Sequence, residues 1–133
     1  MKVSNIPTSI TSGVKISVEH FYQPEHSDPV ENKYIFAYRV TIENTSDYTV
    51  QLMRRHWFIV ESNGLSKEVE GEGVIGQQPI IHPGASHQYV SWTNMATDIG
   101  KMSGYYTMVR SLDGEAFHVT IPEFKLIAPQ KMN

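Results

Sequence analysis

Tyr34-Ile35-Phe36-Ala37-Tyr38-Arg39-Val40-Thr41-Ile42-Glu43 constrains this chain more than any other stretch. Tyr34, Phe36, Tyr38, Val40 and Ile42 alternate with Ile35, Ala37, Arg39, Thr41 and Glu43. Period 2 places the first set on one face of a strand and the second on the other. A long strand with one aromatic, β-branched face belongs in the middle of a sheet. Asn44-Thr45-Ser46-Asp47 then turns the chain.

The same alternation recurs on both sides. Val14, Ile16, Val18, His20 and Tyr22 alternate with Lys15, Ser17, Glu19 and Phe21, which predicts a half-buried strand. Gln23 to Asn32, with Pro24, Asp28 and Pro29, reads as a loop. A third strand runs from about Val50 to Ser62. Its centre, Arg54-Arg55-His56-Trp57, puts polar groups on both faces and fits a bulge. Asn63-Gly64 predicts a type I′ hairpin turn, because both residues tolerate positive φ. Leu65 to Glu70 returns as a short strand. Pro83-Gly84 fits a type II turn. His87–Thr93, Gly104–Leu112 and Phe117–Ile121 read as further strands, with Asn94–Lys101 irregular. Pro122 interrupts the last, and Phe124-Lys125-Leu126 continues it as an edge piece.

No window of about 11 residues has the 3.6 period of an amphipathic helix. Seven to eight strands with Gly, Pro and Asn turns predict an all-β antiparallel sandwich in a single domain of 133 residues. A five-stranded oligonucleotide-binding barrel is the runner-up, and the strand count weighs against it. Residues 1–12 are polar and carry Pro7, so a flexible end is expected there. The domain proper is placed at 13–127, with a tail at 128–133.

Charge and composition exclude several classes. The net charge is −3 and the basic residues are scattered, with Arg54-Arg55 the only adjacent pair, so nucleic acid is not the expected partner. There is no cysteine, hence no disulfide framework and no thiolate metal site. The N-terminal residues contain no apolar secretory core, and runs such as Trp57-Phe58-Ile59-Val60 are too short to span a bilayer. A cytoplasmic protein without membrane insertion is the expectation.

The chemistry concentrates in Gly71-Glu72-Gly73-Val74-Ile75-Gly76-Gln77-Gln78-Pro79. Gly71, Gly73 and Gly76 match G-x-G-x-x-G, but that pattern needs a helix to follow, and Pro79 with Pro83-Gly84 forbids one. What survives is a glycine-rich loop between strands. It fits a structural loop, a partner contact, or a row of backbone N–H groups from Gly73, Val74 and Gly76 to Gln77 facing an anion. Arg55 could grip such an anion bidentately, and His56 could add a donor. The alternative places Trp57 in the core and leaves Arg55 at the surface with its stem on the sheet. If the loop binds an anion, Gly73→Val should abolish binding with the thermal midpoint nearly intact. Tyr105, Tyr106 and Trp92 could stack a base, although strand aromatics more often serve the core.

Six histidines, His20, His26, His56, His82, His87 and His118, form no H-x-H, H-x-x-x-H or H-E-x-x-H spacing. A divalent cation would draw on these and on Asp28, Glu70 and Glu72, and no spacing supports a set. Ser91 and Ser103 lack a nucleophile-elbow context. No catalytic constellation is legible, so a binding role is favoured over an enzyme.

In order and spacing, Tyr34–Tyr38, Val50-Gln51-Leu52, Arg55-His56-Trp57, Gly71–Pro79, Pro83-Gly84, Gly104-Tyr105-Tyr106 and Ile121-Pro122-Glu123-Phe124 resemble the ApaG family. The resemblance covers about Gly13 to Leu126. It implies an immunoglobulin-like sandwich of the fibronectin type III kind. It also implies an association with cobalt and magnesium resistance. Bacterial members often neighbour a diadenosine tetraphosphate hydrolase, and related domains occur in F-box and polymerase-interacting proteins. The family's proposed pyrophosphate loop falls on Gly71, Gly73 and Gly76. Two functions are therefore expected: a protein-interaction domain affecting cobalt and magnesium homeostasis indirectly, or a phosphate, pyrophosphate or nucleotide binder. An aromatic-rich sheet is also compatible with a homo-oligomer.

Overall fold

In the computed structural model, residues 6–129 are described. They form two antiparallel sheets packed face to face. The first has the order β1 (Thr8–Thr11), β2 (Val14–Tyr22), β3 (Tyr34–Asn44), β7 (Ser86–Met95). The second has the order β5 (Ser66–Glu72), β4 (Val50–Glu61), β8 (Ile99–Arg110), β9 (Ala116–Ile127). A short β6 (Ile80–Ile81) also pairs with β4. No α-helix occurs among the described residues, only a 3-10 turn at Pro29–Glu31. No helix there is long and apolar enough to cross a membrane.

The alternation sets the layers. Val14, Ile16, Val18, Phe36, Tyr38, Val40 and Ile42 from the first sheet meet Leu52, Trp57, Ile59, Tyr106, Met108, Val119, Ile121 and Leu126 from the second in one buried core. β3 lies between β2 and β7, as its two-sided pattern predicts. Tyr38 and Phe124 pack around Trp57, with ring centroids 5.2 and 6.0 Å away. Such edge-to-face contacts add to the area term.

The bulge expected in β4 lies between Leu52 and Arg54, where the pairing with β8 slips by one residue. Beyond it, the inward set becomes Arg55, Trp57 and Ile59, so Arg55 shares the Trp57 face while His56 points the other way. A second slip, between Met102 and Gly104, lets β9 run on through Pro122 to Ile127 as an edge strand. Gly104 is required there, because a Cβ would lie 2.1 Å from the His56 carbonyl oxygen.

Three expectations need correction. Thr8–Thr11 is a strand paired with β2, so the flexible end does not include these residues; 1–5 lie outside the described set. Asn63-Gly64 does not form a type I′ turn: only Gly64 has positive φ, at 87°, and its N–H donates to Glu61 O at 2.9 Å. That is a type I turn closed by a left-handed glycine. The span Asn94–Lys101 is largely strand, with β7 ending at Met95 and β8 beginning at Ile99. The Pro83-Gly84 turn is as expected, with Gly84 at φ 80° and Ala85 N–H donating to His82 O at 2.9 Å.

Sheet edges are where a sandwich meets partners. β1 has only four residues, and Ser9 Oγ donates to Thr120 O at 2.7 Å while Thr120 N–H donates to Thr11 Oγ1 at 3.1 Å. These bonds tie the β1 and β9 edges together. β9 also carries Pro122, Glu123 and Lys125, and β5 carries Lys67, Glu68, Glu70 and Glu72. β7, the remaining edge, spans ten residues with no Asp, Glu, Lys, Arg or Pro.

Candidate functional site

Each glycine of the loop has a different job. Gly71 pairs with Arg55 across β4–β5, and its missing side chain makes room for the guanidinium: a Cβ would meet Arg55 Nη1 and Nη2 at 3.1 Å. Gly73 turns at φ 63°, and a Cβ would fall 2.2 Å from Gln77 O. Gly76 has φ 72° and nothing within 4 Å of the Cβ position. Together with Ile75 at φ 48°, it gives positive φ at both centres of the Val74–Gln77 turn, the arrangement of a type I′ turn. A β-branched residue in that region is a true outlier. Val74, between them, is a core residue at 1% exposure.

The N–H row expected from Gly73 to Gln77 is mostly spent inside the loop. Gly73 N–H donates to Met53 O at 2.8 Å, Val74 N–H to Gln77 O at 2.8 Å, and Gln77 N–H to Val74 O at 3.0 Å. Ile75 and Gly76 alone keep N–H groups without an internal partner. A substitution at Gly73 therefore cannot spare the fold, and the expected outcome for Gly73→Val is corrected accordingly.

Arg55 and His56 do not converge. Arg55 turns inward and its Nη1 donates to Glu72 O at 3.0 Å and Gly73 O at 2.9 Å, so the loop offers it carbonyls. His56 lies on the outer face of the second sheet, stacked on Phe58 and Tyr105 at 4.6 and 5.0 Å. Its Nδ1 is 3.1 Å from Glu70 Oε2 and 3.2 Å from Tyr105 Oη. His118 extends this stack, 4.3 Å from Tyr105. Among the described residues, no group of three or more His, Asp or Glu is placed to hold a metal ion.

The inward turn of Arg55 opens a site that motif reading missed. Between the β5 and β7 edges lies a cavity of about 220 Å³, lined by Tyr38, Arg55, Trp57, Lys67, Ser91 and Thr93 among others. No Asp or Glu lines it. Lys67 Nζ donates to Asn94 O at 3.0 Å across the mouth. Trp57 Nε1 is buried without a hydrogen-bond partner. Burial raises the Tyr38 phenol above its ordinary value, opposed by Ser91, directly across on β7, and by the Arg55 charge. Behind it, Tyr89 and Tyr106 share a hydrogen bond between hydroxyls. Burial raises both phenols, with Arg55 again opposing. Trp92 stays half exposed on the outer face of β7, so it and the buried Tyr106 do not form a stacking platform with Tyr105.

Residues 24–110 match the family model described as the ApaG domain. The chain is 45% identical to Protein ApaG of Brucella suis biovar 1 over 124 residues, covering 93% of this chain and 95% of that protein. It is 48% identical to Protein ApaG of Pseudomonas paraeruginosa over 116 residues, covering 87% and 91%. A crystal structure from Bordetella pertussis bearing the ApaA name superposes with a TM-score of 0.84 at 40% identity, covering 94% of this chain and 98% of that one.

Proposed function

This chain belongs to the ApaG family, and we propose that it is a non-catalytic binding domain that takes an extended segment of a partner protein along β7. The observation carrying this reading is that β7 is the one long edge among the described strands with no Pro or charged residue of its own, its outward Asn94 carbonyl alone being taken by Lys67. β1, β5 and β9 are short and tied down, or broken by Pro and charge, and β6 has only two residues. An unprotected edge offers main-chain N–H and C=O groups for strand addition. Val90 and Trp92, 49% and 50% exposed, supply the apolar contact beside it. Any effect on cobalt or magnesium homeostasis would pass through that partner.

The test is a photo-crosslinking residue in place of Trp92 on β7, with Leu112, exposed in the β8–β9 turn, as the control position. Strand addition expects a discrete adduct at position 92 and none at 112. The partner so identified, purified and added back, should slow amide exchange across residues 86–95. Equal adducts at both positions, or unchanged exchange, would refute it.

A second reading places a phosphate or pyrophosphate group, free or within a nucleotide, at the tip of the glycine loop. The unpaired N–H groups of Ile75 and Gly76 favour it. A ligand at 100 times its dissociation constant stabilises by about 2.7 kcal/mol. Thermal titration with pyrophosphate, ATP and diadenosine tetraphosphate should then raise the midpoint, and an unchanged midpoint would reject the reading.

A further inference from the structure

Arginine side chains in this protein show how they prefer to be used. Arg39 turns its Nε/Nη2 edge to Glu19, at 3.0 and 2.8 Å. Arg110 turns the same edge to Asp113, at 3.1 and 2.6 Å, and Nη2 also reaches Glu115. Arg54 is exposed to solvent and has no such partner among the described residues, whereas Arg55 is partly buried and differs from both pairs. Its Nη1 is committed to two carbonyls, while Nε and Nη2 bond to no described residue. That edge is a planar fork of parallel N–H groups, the arrangement that matches a carboxylate. Trp57 also lines the cavity of about 220 Å³ beside it, and no acidic side chain there supplies the missing charge. A larger cavity of about 350 Å³ around Tyr48 and Arg110 lacks this property, since Asp113 and Glu115 already neutralise its cation.

We infer that the Arg55 cavity is a carboxylate site, in which the Nε/Nη2 edge of Arg55 receives one acidic side chain of the segment that pairs with β7. The inference rests on the strand-addition reading for its macromolecular partner, but the site itself can be probed alone. Its volume is below the range of roughly 300–1,000 Å³ usual for whole small-molecule ligands, which suits one side-chain group. Tyr38, Trp57, Ser91 and Thr93 give the rest of the lining neutral side chains. Lys67 stands at the mouth, four residues along β5 from Gly71, or roughly 13 Å at strand rise. The chain as a whole carries −3, so attraction for an acid is local to these two cations. A second copy of this chain is a poor occupant, because β7 brings no carboxylate of its own to the cavity.

The experiment is an NMR titration of the intact protein, following the Trp57 indole N–H and the Arg55 Nε–H. The probes are N-acetylglutamate amide, its glutamine counterpart and inorganic phosphate, at matched ionic strength. Saturable shifts of both signals with the glutamate probe, and none with the glutamine one, are expected. Arg55→Lys keeps the charge but loses the fork, and should weaken the response at least about tenfold. Ser91→Leu fills the cavity from β7 without touching the Arg55–carbonyl bonds, and should block it with the spectrum otherwise native. No saturation, an undiminished response in both variants, or tighter binding of phosphate would overturn the assignment. If the indole response saturates while a partner leaves β7 exchange unchanged, the carboxylate site stands and strand addition falls. Protection of β7 without the indole response would do the reverse.

Discussion

Replacing Gly73 and Gly76 separately by alanine tests how the glycine loop is held. Both residues have positive φ, 63° and 72°, so each alanine carries the left-handed penalty of about 1–2 kcal/mol. At Gly76 nothing else happens, because no atom lies within 4 Å of the new Cβ. At Gly73 the Cβ would sit 2.2 Å from Gln77 O and 2.9 Å from its carbonyl carbon. Relief requires moving the Gln77 peptide, and with it the two bonds that pair Val74 and Gln77. Each is worth about 1 kcal/mol net. Val74, buried to 1% exposure, also loses part of the about 1.5–3 kcal/mol that its burial contributes. Gly73→Ala should therefore cost about 3–5 kcal/mol and Gly76→Ala about 1. At about 2.1 cal/mol/K per residue, 1 kcal/mol moves the midpoint of a chain this long by roughly 4 °C. Calorimetry should show losses of roughly 10–18 °C and roughly 4 °C. Equal losses, within about 0.5 kcal/mol by urea titration, would refute the claim that packing against Gln77 distinguishes the two positions.

Ile75 is exposed at the loop tip with φ 48°, so Ile75→Asn should raise the urea midpoint by the equivalent of about 0.5–1 kcal/mol, as asparagine tolerates that region; a lower midpoint would show that the isoleucine makes an offsetting contact. Asn44 is buried, its Nδ2 donating to Tyr48 O at 2.7 Å and Ile81 O at 2.9 Å and its Oδ1 accepting from Ser46 N–H at 3.0 Å. Asn44→Ala should cost about 2–4 kcal/mol by leaving buried groups unpaired, and a loss below about 1 kcal/mol would argue against that role. Burial lowers the pKa of His20, which stacks on Phe124 at 5.5 Å, below the ordinary 6.5. The unfolded chain then binds the proton more readily, so this contribution is fully present above pH 6.5 and is lost as the pH falls through the folded value. Urea midpoints across the acid range should show that decline, and His20→Gln should flatten it.

The sheets were legible because side-chain period and burial are the same information in a sandwich. Tyr34 to Ile42 alternate in sequence and lie on the inner face in the structure. β1 was not legible: Thr-Ser-Ile-Thr is too short and too polar to show a period, and its pairing depends on β2 and on hydroxyl bonds to β9. The glycine spacing pointed to the right place for a partly different reason. G-x-G-x-x-G suggested a row of donors, whereas Gly71 is absent of side chain because Arg55 lies over it, and Gly73 because Gln77 does.

Arg55 shows where sequence reasoning could have gone further. Trp57 is the large apolar residue of β4, and a residue two positions away on a strand shares its face. Taking Trp57 as core therefore already commits Arg55 to the interior side and His56 to the opposite one, which is the arrangement found. What no periodicity supplies is the neighbour. Ser91 and Lys67 reach the same cavity only because β7 and β5 end the two sheets on the same side of the sandwich. An inward guanidinium without a carboxylate would be costly in a closed core. At an open edge it is tolerated, because solvent reaches the guanidinium and two carbonyls accept from its Nη1. The acidic strand proposed above would answer both features at once, pairing with the backbone of β7 and supplying the counter-charge that Arg55 lacks.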